Sequence, residues 1–255
     1  MQLNYDAEFL FYLEHMNRQF SGWDFSYVEK AGRMQEEPLD WSYGSLALSY
    51  MNKAGAVLDM GTGGGELLSM LGPFPQDTCA TEAYAPNVPI ARARLEALGI
   101  QVEQVFTDDE LPFEDGRFDL VINRHESYSV REVRRILRDS GIFLTQQVGG
   151  TDCREINERL GVPLNDEFQH WNLDYAVKEL EENGFKIIEK REQAPMQRFY
   201  DIGALVYYLK AIEWQATGFR IEEHMEALYG IHEDIKTCGF WETTQQRFLI
   251  VAAPQ

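Results

Sequence analysis

The stretch from Ala56 to Leu68 reads AVLDMGTGGGELL and decides the fold of this chain. Its apolar start, at Val57 and Leu58, predicts a strand buried on both faces of a sheet. Four glycines follow, and Glu66 to Leu71 is predicted to form a helix that the next Gly-Pro pair ends. Because glycine has no Cβ atom, such a loop lets the backbone pass close to another group, which indicates a bound ligand.

Three kinds of ligand are compatible with a glycine loop, and the neighbouring residues distinguish them. The dinucleotide fingerprint G-x-G-x-x-G/A would need glycine or alanine where this chain has Glu66. A phosphate-binding loop would end in Gly-Lys-Ser/Thr, and that run does not occur. Asp59 and Glu66 flank the loop with negative charge, which favours a cationic ligand with an ammonium or sulfonium group over pyrophosphate.

An acid at the end of the strand followed by Gly61, Gly63 and Gly65 resembles motif I of the class I S-adenosylmethionine-dependent methyltransferases. The resemblance implies that S-adenosylmethionine is the cofactor. It also implies that the cofactor lies against Asp59, Gly61, Thr62 and Gly63. A tight turn without any ligand is the alternative interpretation of the same residues.

A second strand, Asp77 to Glu82, ends in an acid 23 residues beyond Asp59. Several nucleoside-binding α/β folds place an acid at this spacing to accept hydrogen bonds from ribose hydroxyls. Glu82 is therefore the predicted ribose ligand.

The segment from Thr107 to Asn123 reads TDDELPFEDGRFDLVIN and resembles the stretch D-x-x-x-LPF-x-x-x-FD-x-V of the same family. This second resemblance implies that an acid just after the third strand, Ile100 to Phe106, accepts a bond from the adenine amino group. The alignment is loose at this point, so Asp108 is the predicted residue and Asp109 is the alternative.

The fourth strand is predicted to run from Phe118 to Asn123 and to lead into Arg-His-Glu. Ligands of open α/β sheets lie beyond the carboxyl ends of the strands, so Asn123 and His125 are predicted to face the cofactor or the methyl acceptor. An imidazole titrates near neutrality, which makes His125 the candidate catalytic residue, able to take a proton from a hydroxyl or amine. A structural histidine is the alternative.

A third resemblance to the family lies in residues 132–143, which read EVRRILRDSGIF and match the helix-to-strand passage R-x-L-x-x-G-G-x-x with Ser140 in place of the first glycine. The fifth strand is predicted from Ile142 to Gln147, and Gln146 lies at its end, where it would border the acceptor pocket. Asp152 is predicted to open a short helix in a capping box with Glu155.

The alternation of strands and helices predicts an α/β fold with a doubly wound, mostly parallel sheet. The resemblance, which covers about residues 40–195 and the last strand, implies seven strands with the last one antiparallel. The predicted division is a helical cap over 1–50 and a methyltransferase domain over 51–255. The cap contains a helical spacing of apolar residues at Phe9, Leu10, Leu13, Met16 and Phe20, and two amphipathic helices predict an insertion at about 200–238, before the last strand.

Composition limits the possible partners and surroundings. A net charge of -19 over 255 residues argues against DNA and other nucleic acids, which need a basic surface. The three cysteines form no CxxC pair, so neither a disulfide framework nor a metal site is predicted. No leader or membrane span is evident, and a cytoplasmic location is expected. Nothing in the sequence predicts the oligomeric state.

These observations predict a methyltransferase that acts on a small-molecule acceptor by direct, in-line methyl transfer. The Asn-Pro-Pro-Tyr signature of N6-adenine enzymes and the Pro-Cys nucleophile of cytosine-5 enzymes are both absent. Two alternatives stay open, namely a non-catalytic S-adenosylmethionine-binding module and an RNA or protein methyltransferase. A nicotinamide dehydrogenase is a more distant alternative.

Overall fold

Ten strands make up two sheets in the computed structural model, which describes residues 4–14 and 25–255. In chain order they are β1 (Met34–Glu36), β2 (Ala56–Met60), β3 (Asp77–Glu82), β4 (Gln101–Gln104), β5 (Phe118–Arg124), β6 (Leu137–Val148), β7 (Phe185–Gln193), β8 (Met196–Phe199), β9 (Trp241–Thr244) and β10 (Arg247–Pro254).

The larger sheet has seven strands in the order β4-β3-β2-β5-β6-β10-β7. Neighbouring strands from β4 to β6 are parallel, whereas β10 runs antiparallel to both β6 and β7. This arrangement confirms the predicted seven-stranded, mostly parallel sheet with an antiparallel last strand. The Asp119 carboxylate anchors the start of β2 by accepting hydrogen bonds from the backbone N–H groups of Gly55 and Ala56, both at 2.9 Å.

Helices cover both faces of this sheet. The helices of the described residues are α1 (Ala7–Glu14), α2 (Ser26–Glu29), α3 (Tyr43–Met51), α4 (Val88–Leu95), α5 (Val130–Ile136), α6 (Arg154–Leu160), α7 (Leu173–Glu182), α8 (Ile202–Ala211) and α9 (Met225–Cys238), with 3-10 turns at Leu68–Met70, Glu96–Leu98 and Ile221–Glu223. The buried residues of α1, α2, α6, α8 and α9 form a separate apolar cluster with β1 and β8. The buried residues of α5 and α7 form one apolar layer with the sheet, and those of α3 and α4 form the opposite layer. In the described part of the chain, no helix combines the length and the apolar character needed to cross a membrane.

A second sheet, β1-β8-β9, was not predicted from the sequence. It pairs Met34 with Phe199 and Met196 with Thr244, both antiparallel. Arg33, just before β1, binds Asp201 at the start of α8 through two hydrogen bonds of 2.7 and 2.6 Å. The second sheet thus links the N-terminal segment to the predicted insertion, and the domain division at residue 50 stays a prediction.

The helix predicted from Glu66 to Leu71 is wrong. Only a 3-10 turn forms there, at Leu68–Met70. Gly65 has a left-handed φ of +78°, and Arg94 binds both the Gly64 carbonyl oxygen and the Glu66 carboxylate, so the backbone before the turn follows a loop path instead. The N-terminal helix is present as α1, whereas Met16 and Phe20 of its predicted spacing lie outside the described residues.

Candidate active site

Predicted site residues from three neighbouring strands meet at the carboxyl edge of the large sheet. The parallel register aligns Asp59 with Ala80 on β3 and Ile122 on β5, so the acid lies near the ends of all three strands. Glu82 is the last residue of β3, and Asn123 is paired with Met60 across β5 and β2. The topology therefore brings together Asp59, Glu82 and Asn123 as the sequence predicted.

The glycine loop begins directly after this edge. Gly61, Gly63 and Gly65 have φ values of +69°, +63° and +78°, which L side chains rarely adopt. The Thr62 backbone N–H donates to the Thr81 carbonyl oxygen at 2.9 Å, and this bond holds the loop against β3. The side chain of Glu126 packs on Gly61 so closely that a Cβ atom there would lie 2.2 Å from Glu126 Cγ.

Two buried acids stand next to the loop. Asp59 is 7% exposed, and burial, with a smaller contribution from the Glu82 charge, raises its pKa from 3.8 to about 7. Burial also raises the pKa of Glu82, although the backbone N–H of Tyr84 donates to its Oε1 at 2.7 Å. Carboxylates held away from water in this way gain from a cation or a hydroxyl donor that binds beside them.

A small cavity beside Gly61 is lined by Asp108 and Glu126, together with Met60, Thr81, Ala83 and Val105. Asp108 accepts a hydrogen bond from the Ser127 hydroxyl at 2.6 Å. Burial, and then the charges of Asp108 and Glu82, raise the pKa of Glu126 from 4.5 to about 7. Asp109, the alternative adenine ligand, is exposed and is not part of the lining.

Asn123 is fully buried and belongs to a polar network at the ends of β5 and β6. Its Oδ1 accepts hydrogen bonds from Thr145 Oγ1 at 2.9 Å and from Gln147 Nε2 at 2.6 Å. Its Nδ2 has no hydrogen-bond partner within the described residues. Because buried donors are normally satisfied, Asn123 Nδ2 is a candidate ligand group.

His125 directly follows β5 and has a left-handed φ of +60°. Its backbone N–H donates to the Gln146 carbonyl oxygen at 2.8 Å, which fixes the turn. The residue keeps exposed surface, yet desolvation of its ring, followed by the positive charges of Arg124 and Arg247, holds its pKa well below the usual value. His125 is therefore neutral at pH 7, and its catalytic role stays a prediction.

Sequence reasoning missed two contributors to this edge. Glu126 was seen only as part of the strand end, and its position over Gly61 depends on the turn at His125. The sequence assigned no role to Trp41, whose indole nitrogen donates a hydrogen bond to Gln146 Oε1. No local sequence signal identifies either contact, since each joins residues of different elements.

The site fits the cofactor that the sequence resemblance implies. A sulfonium ion would be attracted by the carboxylates of the buried Asp59 and the half-buried Glu126, and Glu82 can accept from ribose hydroxyls. Asn123 Nδ2 offers an unused donor, and the glycines leave the loop backbone open to close approach. A ligand that lay on Gly61 would displace the side chain of Glu126.

A second group of acids lies apart from this edge, where Asp6 and Glu233 meet His232. The ammonium group of Lys236 bonds to Asp6 at 2.7 Å and to Glu233 at 3.1 Å. This cation contacts both carboxylates and offsets one of their two charges, so the group is best described as an ion-pair network that joins the residue before α1 to α9.

The fold and the acidic glycine loop together define the class I S-adenosylmethionine-dependent methyltransferase architecture. Residues 34–190 match the methyltransferase domain family, and the chain belongs to that family. The uncharacterized methyltransferase YcgJ of Bacillus subtilis is 31% identical over 97 residues, which are 34% of this chain and 38% of YcgJ. The matched part thus spans less than two fifths of that curated relative.

Solved structures show the same fold. The structure of YcgJ is 20% identical and has a TM-score of 0.58, covering 84% of this chain and 98% of its own. A functionally unknown protein from Deinococcus radiodurans R1 is 14% identical with a TM-score of 0.62, and the match covers 91% of this chain and 100% of that protein. Geranyl diphosphate C-methyltransferase from Streptomyces coelicolor A3(2), in complex with Mg²⁺, geranyl diphosphate and S-adenosyl-L-homocysteine, is 14% identical with a TM-score of 0.51, covering 83% and 78%.

Proposed function

We propose that this protein transfers the methyl group of S-adenosylmethionine to a small-molecule acceptor. The observation that supports the proposal is the pair of buried acids, Asp59 and Glu82, that flank a loop with three left-handed glycines. Family membership supports the methyl-transfer chemistry, and the net charge of -19 favours a small acceptor over a nucleic acid.

The cofactor would supply an electrophilic methyl group on sulfur, open to direct in-line attack by the acceptor. The chain would then position the two reactants and exclude water. In the proposed arrangement, Asp59, Gly61, Thr62, Gly63 and Asn123 hold the amino-acid and sulfonium part. Glu82 holds the ribose and Asp108 the adenine, while His125 contacts the acceptor.

The first experiment is isothermal titration of the purified protein with S-adenosylmethionine, S-adenosylhomocysteine and NADH in parallel. Binding of the first two ligands alone would support the proposal, whereas binding of NADH alone would overturn it. A panel of small acceptors, with RNA at two salt concentrations, then tests the alternatives. Cofactor binding without turnover on any acceptor would favour a binding module, and a steeply salt-dependent RNA affinity would favour an RNA methyltransferase.

Single substitutions of the two buried acids are expected to weaken cofactor binding. Asp59→Ala and Glu82→Ala each remove a charged hydrogen-bonding group, worth about 1.5–3 kcal/mol, which corresponds to roughly a 10- to 100-fold loss of affinity. The matched control is Asp109→Ala, an exposed acid outside the cavity, which should bind normally. If titration calorimetry gives all three variants the wild-type affinity, the proposed cofactor position is wrong.

Binding of S-adenosylmethionine is also expected to depend on pH. Asp59 and Glu126 have pKa values of about 7, so both carboxyl groups lose protons as the pH rises through neutrality. The affinity for the sulfonium ligand should rise by up to about tenfold from pH 6 to pH 8, because only the ionised carboxylates attract the cation.

S-adenosylhomocysteine is the control ligand, since its sulfur is neutral and its affinity should change less over the same pH range. Glu126→Gln removes one of the two titrating groups and should flatten the response of the sulfonium ligand. Equal pH dependence of the two ligands, measured by calorimetry, would contradict this account.

A further inference from the structure

Three side chains from distant parts of the chain form a hydrogen-bonded row that ends at His125. Trp41 Nε1 donates to Gln146 Oε1 at 2.8 Å, and Gln146 Nε2 lies 2.9 Å from His125 Nε2. Trp41 is 8% exposed and Gln146 is 3% exposed, so water does not compete freely for these groups. The row therefore links the N-terminal segment to the acceptor side of the candidate site.

The chemistry of the three groups determines where the protons are. An indole nitrogen can only donate, so the oxygen of the Gln146 amide must face Trp41. The amide nitrogen, which also can only donate, then faces His125 Nε2. That ring nitrogen must accept, and the single proton of the neutral ring is consequently on Nδ1.

We infer that Trp41 and Gln146 are positioning residues that hold His125 in its neutral Nδ1–H form, so that His125 offers the methyl acceptor a hydrogen-bond donor instead of a base. This inference rests on the proposed function, because it assigns the ring a role toward the acceptor. The lone pair needed to take a proton is already engaged by Gln146. Methyl acceptors with an oxygen or nitrogen that accepts a hydrogen bond beside the methylated atom fit this site.

The surroundings of the ring agree with a neutral donor. The charged groups that act on His125 are Arg124, the last residue of β5, and Arg247 on β10, and both disfavour a second proton. The carboxylate of the adjacent Glu126 is on a side chain that packs on Gly61. Within the described ranges no residue bonds to His125 Nδ1, and the residue is exposed, so this N–H group is available to a ligand.

The test is nitrogen-15 NMR of the histidine rings in the full chain, without cofactor or acceptor. His125→Gln identifies the His125 signals by their loss, and the exposed His170 serves as an internal reference. In the wild-type protein we expect a single Nδ1–H tautomer that does not take up a second proton between pH 6 and pH 8.

Two substitutions should move this signal in a defined way. Gln146→Glu replaces the amide donor by an acceptor for both neighbours, so the ring proton should shift to Nε2 and the pKa of His125 should rise by about one pH unit or more. Trp41→Phe removes the indole donor and lets the amide turn over, which should give a mixture of tautomers. Gln147→Glu is the matched control, since Gln147 bonds to Asn123 and not to the ring.

An Nε2–H tautomer in the wild-type protein, or an unchanged His125 signal in Gln146→Glu, would overturn the inference. The wild-type spectrum alone determines the tautomer of His125, so the inference can still be tested if a variant fails to fold. The NMR samples contain no ligand, so the tautomer of His125 is measured independently of the proposed function. If the proposed function is wrong, titration calorimetry will show no binding of S-adenosylmethionine while the NMR signals of His125 are still as expected.

Discussion

Gly61→Ala is expected to weaken the binding of S-adenosylmethionine by at least about 30-fold while the protein still folds. Gly61 has a φ of +69°, and a left-handed conformation costs an alanine roughly 1–2 kcal/mol. Its Cβ atom would also lie 2.2 Å from Cγ and 2.5 Å from Cβ of Glu126, so that side chain or the loop must shift. Relaxation at either place moves the backbone that the cofactor is proposed to contact.

The backbone strain itself lowers stability with or without the ligand, whereas the displaced loop loses its contacts with the cofactor. Lost contacts worth about 2 kcal/mol correspond to a roughly 30-fold loss of affinity, since about 1.4 kcal/mol is equivalent to tenfold. Gly99→Ala is the matched control, because Gly99 has a φ of +81° but nothing within 4 Å of the added Cβ atom. That variant should lose stability through backbone strain and keep its cofactor affinity.

A double variant, Gly61→Ala with Glu126→Gly, separates the two causes. Glycine at 126 removes both Cγ and Cβ, which a Cβ atom at residue 61 would meet at 2.2 and 2.5 Å, but it leaves the backbone strain at residue 61. In the Glu126→Gly background, Gly61→Ala should therefore cost less thermal stability than it does in the wild-type protein. Calorimetric titration and thermal unfolding measure the two effects independently. Wild-type affinity in a folded Gly61→Ala protein would show that the loop does not contact the cofactor.

Local patterns were sufficient to predict most of the large sheet. β3 has the predicted bounds, Asp77–Glu82. A short buried strand that ends in an acid can be recognised from the residues of the strand alone. Asp119, in the second stretch that resembles the family, has a structural role at the start of β2. Local patterns thus located the strands and the acidic residues at their ends.

Contacts between residues far apart in the chain were not predictable in this way. β1 and β8 have three and four residues, too few to show a period of two, and their partners are distant in the chain, since β1 pairs with β8 and β8 also pairs with β9. Trp41 and Gln146 are separated by 105 residues. The hydrogen-bonded row from Trp41 through Gln146 to His125 was therefore not predictable from the sequence.

Asp152 is a single residue whose main contact could not be predicted from its local sequence. Its predicted role, opening a helix in a capping box with Glu155, is wrong. Cys153 occupies the N-cap position of α6, and the Asp152 carboxylate binds Arg247 instead, 95 residues further along. Glu155 accepts a hydrogen bond from the Thr243 hydroxyl at 2.7 Å.

This buried pair leads to the largest expected effect on stability. Asp152 and Arg247 are each 8% exposed, and Asp152 Oδ1 also accepts from the backbone N–H of Gln246 at 2.6 Å. Burial raises the pKa of Asp152, and the charge of the nearby Arg247 guanidinium acts in the opposite direction. Arg247→Met should therefore lower the free energy of unfolding by about 3–5 kcal/mol, since it leaves a carboxylate buried without its counter-charge.

The double variant Asp152→Asn with Arg247→Met is expected to be more stable than Arg247→Met alone, because it removes the unpaired charge. Lys178→Met is the matched control, since Lys178 pairs with Glu182 on the exposed face of α7 and should change stability by less than about 1 kcal/mol. Urea unfolding measures all three variants. If Arg247→Met lowers the free energy of unfolding by no more than Lys178→Met does, the ion pair between Asp152 and Arg247 does not stabilise the contact between the start of β10 and the turn after β6.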